Sequence, residues 1–110
     1  MAVDKAYTLT MGGKTWAVDC SKVEHIGDAT ILPNVYNKWG VVDGTLTITK
    51  GEEKPNVVNN YIIRLTAGTG CAIVFVGWEL QWVGGNAPTW AGGNTYEVSI
   101  VDNLAMYLEA

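Results

Sequence analysis

The feature that most constrains the fold of this chain is the alternation of apolar and polar residues at every second position. In YIIRLT (61–66), Tyr61, Ile63 and Leu65 alternate with Ile62, Arg64 and Thr66, and TYEVSIV (95–101) repeats the pattern. A period of two places alternate side chains on one face of a β-strand. No segment carries a sustained helical period, so the sequence predicts an all-β protein.

Glycine-containing and asparagine-containing turns separate these segments. Gly12 and Gly13 predict a first hairpin between YTLTM and TWAVDC, and Asp102-Asn103 predicts the turn of the last one. The clearest local signal is Asp43-Gly44, a preferred pair for a two-residue type I′ turn. In that register Val41 faces Leu46, and Trp39 faces Ile48.

Three other segments give less regular patterns. Ser21 and Glu24 have the spacing of a capping box, but HIGD follows at once, which predicts a helical turn at most. Residues 31–39 are predicted to form a long loop because Pro33 and the asparagines interrupt both periods. CAIVFVGWELQWV (71–83) is the longest strand candidate, and its even positions, from Ala72 to Trp82, are all apolar.

About eight short strands at regular spacing predict an antiparallel β-sandwich or small barrel, jelly-roll-like in order. The length of 110 residues is that of one domain with one core, so residues 1–110 are predicted to form a single β-sandwich domain.

Composition argues against several classes of partner. The formal net charge is −4, and the lysines and Arg64 are scattered, so we expect no nucleic-acid binding. No apolar run approaches the roughly 20 residues that cross a bilayer, and residues 1–10 lack the pattern of a signal peptide. We therefore expect that the chain does not insert into a membrane and that it is synthesised in the cytoplasm.

The sequence offers no recognisable catalytic or metal-binding constellation. His25 is the one histidine, and no motif ties it to a nucleophile. Cys20 and Cys71 lack zinc spacing and are interpreted as buried small hydrophobes, with a disulfide as the alternative. Two carboxylates that converge in space would escape a sequence, but no pattern indicates them. We expect no enzyme activity, no metal and no cofactor.

Five tryptophans in so short a chain are unusual. Trp78 and Trp82, like Trp16 and Trp39, are interpreted as core residues by default. Trp90 differs because it lies in a glycine-rich connector, where large apolar rings are normally avoided. Its ring is expected to stack on a sugar, to pack over an open end of the sandwich, or to be buried against another subunit.

The last strand raises a related question. Met106, Tyr107 and Leu108 are consecutive and apolar, so they cannot all face one side of a strand, and both faces should be covered. A neighbouring subunit could supply the second cover.

The C-terminal third resembles the closing segment of structural domains in tailed-bacteriophage virion proteins, notably the tips of tail fibres and head fibres. The resemblance rests on WVGGNAPTW followed by YEVSIVDNLAMYLEA. The matching positions are Trp82, Gly84, Gly85, Pro88 and Thr89 in a W-x-G-G-x-x-P-T pattern, then Asp102, Asn103 and Tyr107 in a terminal hairpin.

The resemblance implies a non-enzymatic β-sandwich of the virion, a fibre or decoration domain that forms a homotrimer and presents loops to a bacterial glycan or protein. Candidate subunit or receptor contacts are the 31–40 loop with Tyr36 and Trp39, together with Trp90, Met106, Tyr107 and Leu108. The alternative is a monomeric carbohydrate-binding module in which Trp39, Trp90 and Tyr36 form a stacking platform. A small hydrolase built on His25 is a third hypothesis.

Overall fold

The computed structural model describes residues 21–110 in full and residues 6–11 and 14–19 as backbone strands. The described part of the chain is all-β and contains no helix, as the alternation predicts. Its eleven strands are β1 (Ala6–Met11), β2 (Lys14–Asp19), β3 (Lys22–Glu24), β4 (Ala29–Ile31), β5 (Tyr36–Val42), β6 (Thr45–Lys50), β7 (Asn60–Ala67), β8 (Ala72–Val76), β9 (Gln81–Trp82), β10 (Thr95–Val101) and β11 (Leu104–Glu109).

Strands β3 to β8 form three coils of a flattened spiral. Successive strands alternate between two sheets: β3, β5 and β7 lie side by side in a large sheet, and β4, β6 and β8 form a small sheet. Each strand from β5 to β8 pairs in parallel with the strand two places earlier, because the chain returns in the same direction after every coil. The arrangement is that of a short two-sided β-solenoid.

The large sheet continues beyond the third coil, with the strand order β3-β5-β7-β10-β11-β9. Strand β10 pairs antiparallel with β7, β11 pairs antiparallel with β10, and the two-residue β9 runs parallel to β11. We call β10, β11 and β9 the extension. The small sheet ends at β8, so no further strand of that sheet lies opposite the extension.

The strands form mixed sheets rather than the purely antiparallel ones that were predicted, and neither the count of about eight strands nor a jelly-roll order is confirmed. Among the described strands, antiparallel pairing is confined to β1–β2, β7–β10 and β10–β11. A period of two reports which side chains share a face. It does not report whether the neighbouring strand runs parallel or antiparallel.

The hairpin predicted at Asp43-Gly44 does not form. Strands β5 and β6 lie in different sheets, so the Val41–Leu46 and Trp39–Ile48 pairs are absent. A type I′ turn needs positive φ at both central residues, whereas here only Gly44 has it, at 70°. Instead, the Asp43 carboxylate accepts a hydrogen bond from the Thr69 amide at 2.8 Å, which joins two successive corners of the spiral.

Three smaller predictions also fail. Residues 22–24 form β3 rather than a helical turn, because they pair with Tyr36–Lys38 of β5. The loop predicted from 31 to 39 is only four residues long, since β5 begins at Tyr36. The 71–83 segment is interrupted at Gly77, whose φ of 99° reverses the alternation: Ile73 and Phe75 face the core before the bend, and Trp78 and Trp82 pack against it afterwards.

The other predicted strands are confirmed. Tyr61, Ile63 and Leu65 of β7 and the alternating residues of β10 have their side chains buried. The turn at Asp102-Asn103 is confirmed, and the pairing of Val101 with Leu104 shows that it has two residues. Strands β1 and β2 pair antiparallel from Ala6–Asp19 to Met11–Lys14, as the first hairpin predicts, although Gly12, Gly13 and Cys20 lie outside the described residues.

One continuous core fills the space between the sheets and extends under the extension. There, aromatic side chains take the place of the missing strands of the small sheet. We call Phe75, Trp78, Trp82 and Trp90 the aromatic cover. Their rings contact one another and Tyr61, Tyr96 and Tyr107 at centroid distances of 5.0–6.3 Å, mostly edge to face.

Candidate interaction surface on the outer face of the extension

Strand β11 exposes a row of apolar side chains. Leu104, Met106 and Leu108 are 52%, 52% and 75% exposed and lie on the outer face, whereas Ala105 and Tyr107 between them face the core. We call these three residues the β11 ridge. A contiguous set of large exposed apolar side chains on one strand is characteristic of a contact surface.

A shallow groove of about 310 Å³ lies beside the ridge. Its apolar part is formed by Ile62 together with Met106 and Leu108 of the ridge. Its polar part includes Asn60 and Ser99, whose side chains are already joined by a hydrogen bond of 2.7 Å from Ser99 Oγ to Asn60 Oδ1. With these polar atoms paired to each other, the groove offers mainly apolar contact.

A charged cluster borders the groove on the coil side. Glu97 Oε2 accepts hydrogen bonds from the Tyr36 hydroxyl at 2.9 Å and from Arg64 Nη1 at 3.0 Å. Burial raises the pKa of Tyr36, and its hydrogen bond to the Glu97 carboxylate raises it further. The phenol is therefore a neutral hydrogen-bond donor at physiological pH. The charged cluster limits the apolar surface on the coil side of the groove.

The three rings proposed for a sugar platform do not share a surface. Trp39 is 3% exposed and faces the core, where its Nε1 donates to the Gly27 carbonyl at 2.8 Å. Tyr36 lies on the opposite face of the same strand and contacts Glu97. Trp90 is half-buried against Phe75 and Tyr96. A stacking platform needs rings exposed on one side.

Trp90 thus packs over an open end of the core, one of the three positions expected for it. Its backbone has a φ of 54°, unusual for a tryptophan, and the connector around it is fixed by two bonds of the Tyr96 hydroxyl. That hydroxyl accepts from the Ala91 amide and donates to Glu109 Oε2, each at 2.8 Å. The connector is a fixed corner of the fold.

The residues of the virion-like pattern occupy that same corner. Trp82 packs against Phe75 and Tyr107, and Gly84 and Gly85 have φ values of 88° and 91°, which glycine adopts without strain. Pro88 is buried and Thr89 is exposed. At the other end of the extension, the Asn103 side chain accepts a hydrogen bond from the Glu79 amide at 3.1 Å. Of these positions, Trp82 and Asn103 make the contacts that hold the extension in place.

His25 and Cys71 have structural surroundings. The His25 ring stacks on Trp39 at a centroid distance of 4.5 Å, and its Nε2 lies 3.0 Å from Asn37 Oδ1. Burial raises the pKa of the Cys71 thiol, which lowers the thiolate fraction that a nucleophile needs. Among the described residues, no three His, Cys, Asp or Glu side chains cluster as metal ligands, and no helix could span a membrane.

Sequence reasoning identified Met106 and Leu108 but missed Leu104, Ile62 and the contribution of Glu97. The signal for Leu104 was present, because it continues the period of two of the ridge. Ile62 and Glu97 come from β7 and β10, and only the pairing of these strands brings them beside β11.

Comparison of the chain with protein-family models, with curated proteins and with solved structures found no match.

Proposed function

We propose that the chain is a non-enzymatic structural domain that assembles with copies of itself, in the role of a fibre or decoration domain of a phage virion. The observation that supports this proposal is the β11 ridge. Three large apolar side chains alternate outward on a paired, regular strand, where polar residues would normally face solvent.

In this proposal a neighbouring subunit covers the outer face of the last strand, β11. Burial of apolar area contributes about 25 cal/mol per Å², so sequestering the ridge and the adjoining groove from water favours association. The Ser99 hydroxyl and the Asn60 side-chain oxygen are already paired within one chain, so these two atoms need no partner in such a contact. The homotrimer implied by the virion resemblance is the stoichiometry we propose, with the coil corners directed toward a bacterial surface.

The test is the solution mass by light scattering across a hundredfold dilution, for the wild type, Leu108→Glu and Leu32→Glu. Leu32 is also an exposed leucine, at 56%, but lies outside the ridge, so it controls for the change in charge and size. We expect a mass of three chains, or a multiple of three, for the wild type and for Leu32→Glu. Leu108→Glu should lose the threefold contact.

A monomeric wild type at every dilution would contradict the proposal, as would an unchanged mass for Leu108→Glu. Circular dichroism of each variant establishes that a change of mass is not a loss of fold.

A further inference from the structure

The core is open at the first coil, which consists of β3 and β4. These are the outermost strands of the large and the small sheet, and no described strand pairs with the outer edge of either. Val23 of β3 pairs with Asn37 of β5, which pairs with Ile63 of β7. Asn37 and Ile63 are 1% and 0% exposed, so this row lies on the inner face, yet Val23 is 39% exposed. The inner face therefore lacks a full cover at this end.

The hydrogen bonds of β3 show which backbone groups its outer edge presents. The His25 amide donates to the Lys38 carbonyl at 2.9 Å, so the backbone groups of the odd residues point toward β5. Those of Lys22 and Glu24 point away from β5, because successive residues of a strand alternate. Among the described residues, none forms a backbone hydrogen bond to Lys22 or Glu24 on that side.

The β1–β2 hairpin has backbone groups that match this edge. In the structure its strands form a sheet of their own, with a register that pairs Met11 with Lys14 across two intervening residues. Residues that flank a two-residue connection form a hydrogen-bonded pair, and such pairs recur at every second position. The even residues of β2 therefore bond to β1, and the backbone groups of Ala17 and Asp19 point to the other side.

We propose that this hairpin docks on the outer edge of β3 in the same chain, with β2 antiparallel to β3. Two residues separate Asp19 from Lys22, so the register is that of a second hairpin with a two-residue connection. Asp19–Lys22 and Ala17–Glu24 are then hydrogen-bonded pairs. These are the four residues whose backbone groups point outward on the two edges. The large sheet grows from six strands to eight.

The same register directs the apolar face of the hairpin toward the open end of the core. Val18 lies opposite Val23, so the two residues share the inner face of the sheet. Within the hairpin, Val18 pairs with Tyr7 and Trp16 pairs with Leu9, which places these residues on the inner face as well. The threonines of the hairpin lie on its other face. An isolated two-stranded hairpin is marginally stable in water, so burial of its apolar face favours docking.

The hairpin of the same chain is the occupant that the tether and the charges favour. Three residue steps join Asp19 to Lys22 and span at most about 10 Å. Such a short tether holds the hairpin at an effective concentration of about millimolar or more, which a second copy reaches only in concentrated solution. On the outer face, Asp19 lies directly opposite Lys22, an attractive pair.

This docking is independent of the proposed assembly, because the β11 ridge lies near the opposite edge of the large sheet. Loss of either contact leaves the other in place.

The first experiment traps the register with a disulfide. In a background in which Cys20 and Cys71 are serine, Val18→Cys with Val23→Cys creates a non-hydrogen-bonded pair. Its Cα atoms are about 4.5 Å apart, within the range that a disulfide spans. The matched control combines Ala17→Cys with Val23→Cys, which closes a loop of nearly the same length but places the cysteines on opposite faces of the sheet.

Under mild oxidation we expect the 18–23 pair to form an intramolecular disulfide at least about tenfold faster than the 17–23 pair. Equal rates, or faster closure of the 17–23 pair, would overturn the register. Covalent dimers as the main product of the 18–23 pair would show that the hairpin docks on a neighbouring chain, which would overturn docking within one chain.

Hydrogen exchange measured by NMR gives an independent test. Docking places the amides of Lys22 and Glu24 in hydrogen bonds, so we expect both to exchange at least about a hundredfold more slowly than an unprotected amide. Val18→Asp places a carboxylate on the inner face and should make both amides exchange fast. Thr10→Asp, on the other face of the hairpin, should leave them slow.

Fast exchange of these two amides in the wild type would overturn the docking. Slow exchange that persists in Val18→Asp would also overturn it, because the protection would then come from a partner other than the hairpin.

Discussion

The third coil is continued differently in the two sheets. Beyond β7 the large sheet gains the three strands of the extension, whereas the small sheet ends at β8. Within the coils, the inner face of one sheet is covered by the inner face of the other. Under the extension, the same function is performed by the aromatic cover, with Phe75 from β8, Trp82 from β9, and Trp78 and Trp90 from the connectors that follow β8.

The difference gives a role to three of the five tryptophans, Trp78, Trp82 and Trp90. A strand covers its neighbour with a regular row of side chains, one at every second residue. An irregular connector supplies fewer side chains per unit length, so each must be large, and Trp and Phe bury 150–250 Å² each. The buried layers of the coils are thus mainly aliphatic, with Trp39 and Tyr61 among them, whereas the inner face of the extension is covered by aromatic rings.

The largest expected effect tests the aromatic cover directly. Phe75 contacts the rings of Trp78, Trp82 and Trp90, so Phe75→Ala removes the ring that joins them. We expect the free energy of unfolding, measured in urea, to fall by about 3 kcal/mol. Val76→Ala, on the outer face of the same strand, should cost less than about 1 kcal/mol. Similar losses for the two variants would show that the cover is dispensable.

The next effect concerns the boundary between the coils and the cover. Burial raises the pKa of Tyr61 from 10.0 to about 12, and the nearby Glu53 carboxylate contributes. Because the folded state holds the phenolic proton more tightly, its contribution to stability is complete below pH 10 and is lost as the pH rises toward 12. The expected loss is about 2 to 3 kcal/mol.

Tyr61→Phe is the matched variant for that pH dependence. It removes the hydrogen bond of 2.7 Å from the hydroxyl to the Gly51 carbonyl, so the variant starts less stable at pH 7. Its unfolding free energy should then decline less than that of the wild type between pH 10 and 12. Parallel curves for the two proteins would refute the assignment to Tyr61.

A smaller effect tests the corner that positions Trp90. Tyr96→Phe removes a hydroxyl that bonds both the Ala91 amide and Glu109, and we expect a loss of about 1 to 2 kcal/mol. Tyr107→Phe is the control within the same cluster, because the Tyr107 hydroxyl has no hydrogen-bond partner among the described residues, and it should change stability by less than about 0.5 kcal/mol. Chemical denaturation distinguishes the two.

The smallest effect lies on the outer face, where Arg64 of the last coil pairs with Glu97 of the extension at 3.0 Å. Both side chains are about 40% exposed, so Arg64→Ala should lower the free energy of unfolding only slightly, and the difference should shrink in 1 M salt. A loss that is large or independent of salt would mean that this pair, rather than the aromatic cover, holds the extension to the coils.

Several features were predictable because they depend on local pattern alone. The buried faces of β7 and β10 follow from alternation, and three consecutive apolar residues place Met106 and Leu108 on the face of β11 opposite to that of Tyr107. The turn at Asp102-Asn103 was predictable for the same reason. The corner at Gly84 and Gly85 was recognised because glycine adopts positive φ without strain.

Other features needed the partner strands. Asp43-Gly44 has the composition of a hairpin turn, yet the burial of Trp39, Val42, Leu46 and Ile48 in one core is better served when β5 and β6 lie in opposite sheets. The bend at Gly77 likewise changes which face of its segment is buried, and a continuous alternation in the sequence gives no indication of it.

The sequence by itself determined that this chain is all-β and which side chains of each regular strand are buried, because period-two alternation acts within one segment. Only the tertiary structure decided the direction of pairing, the two-sided spiral, the aromatic cover and the end of the small sheet at β8. These features depend on which strands pair. The pairing is set by the burial of one core, which is built from residues far apart in the chain.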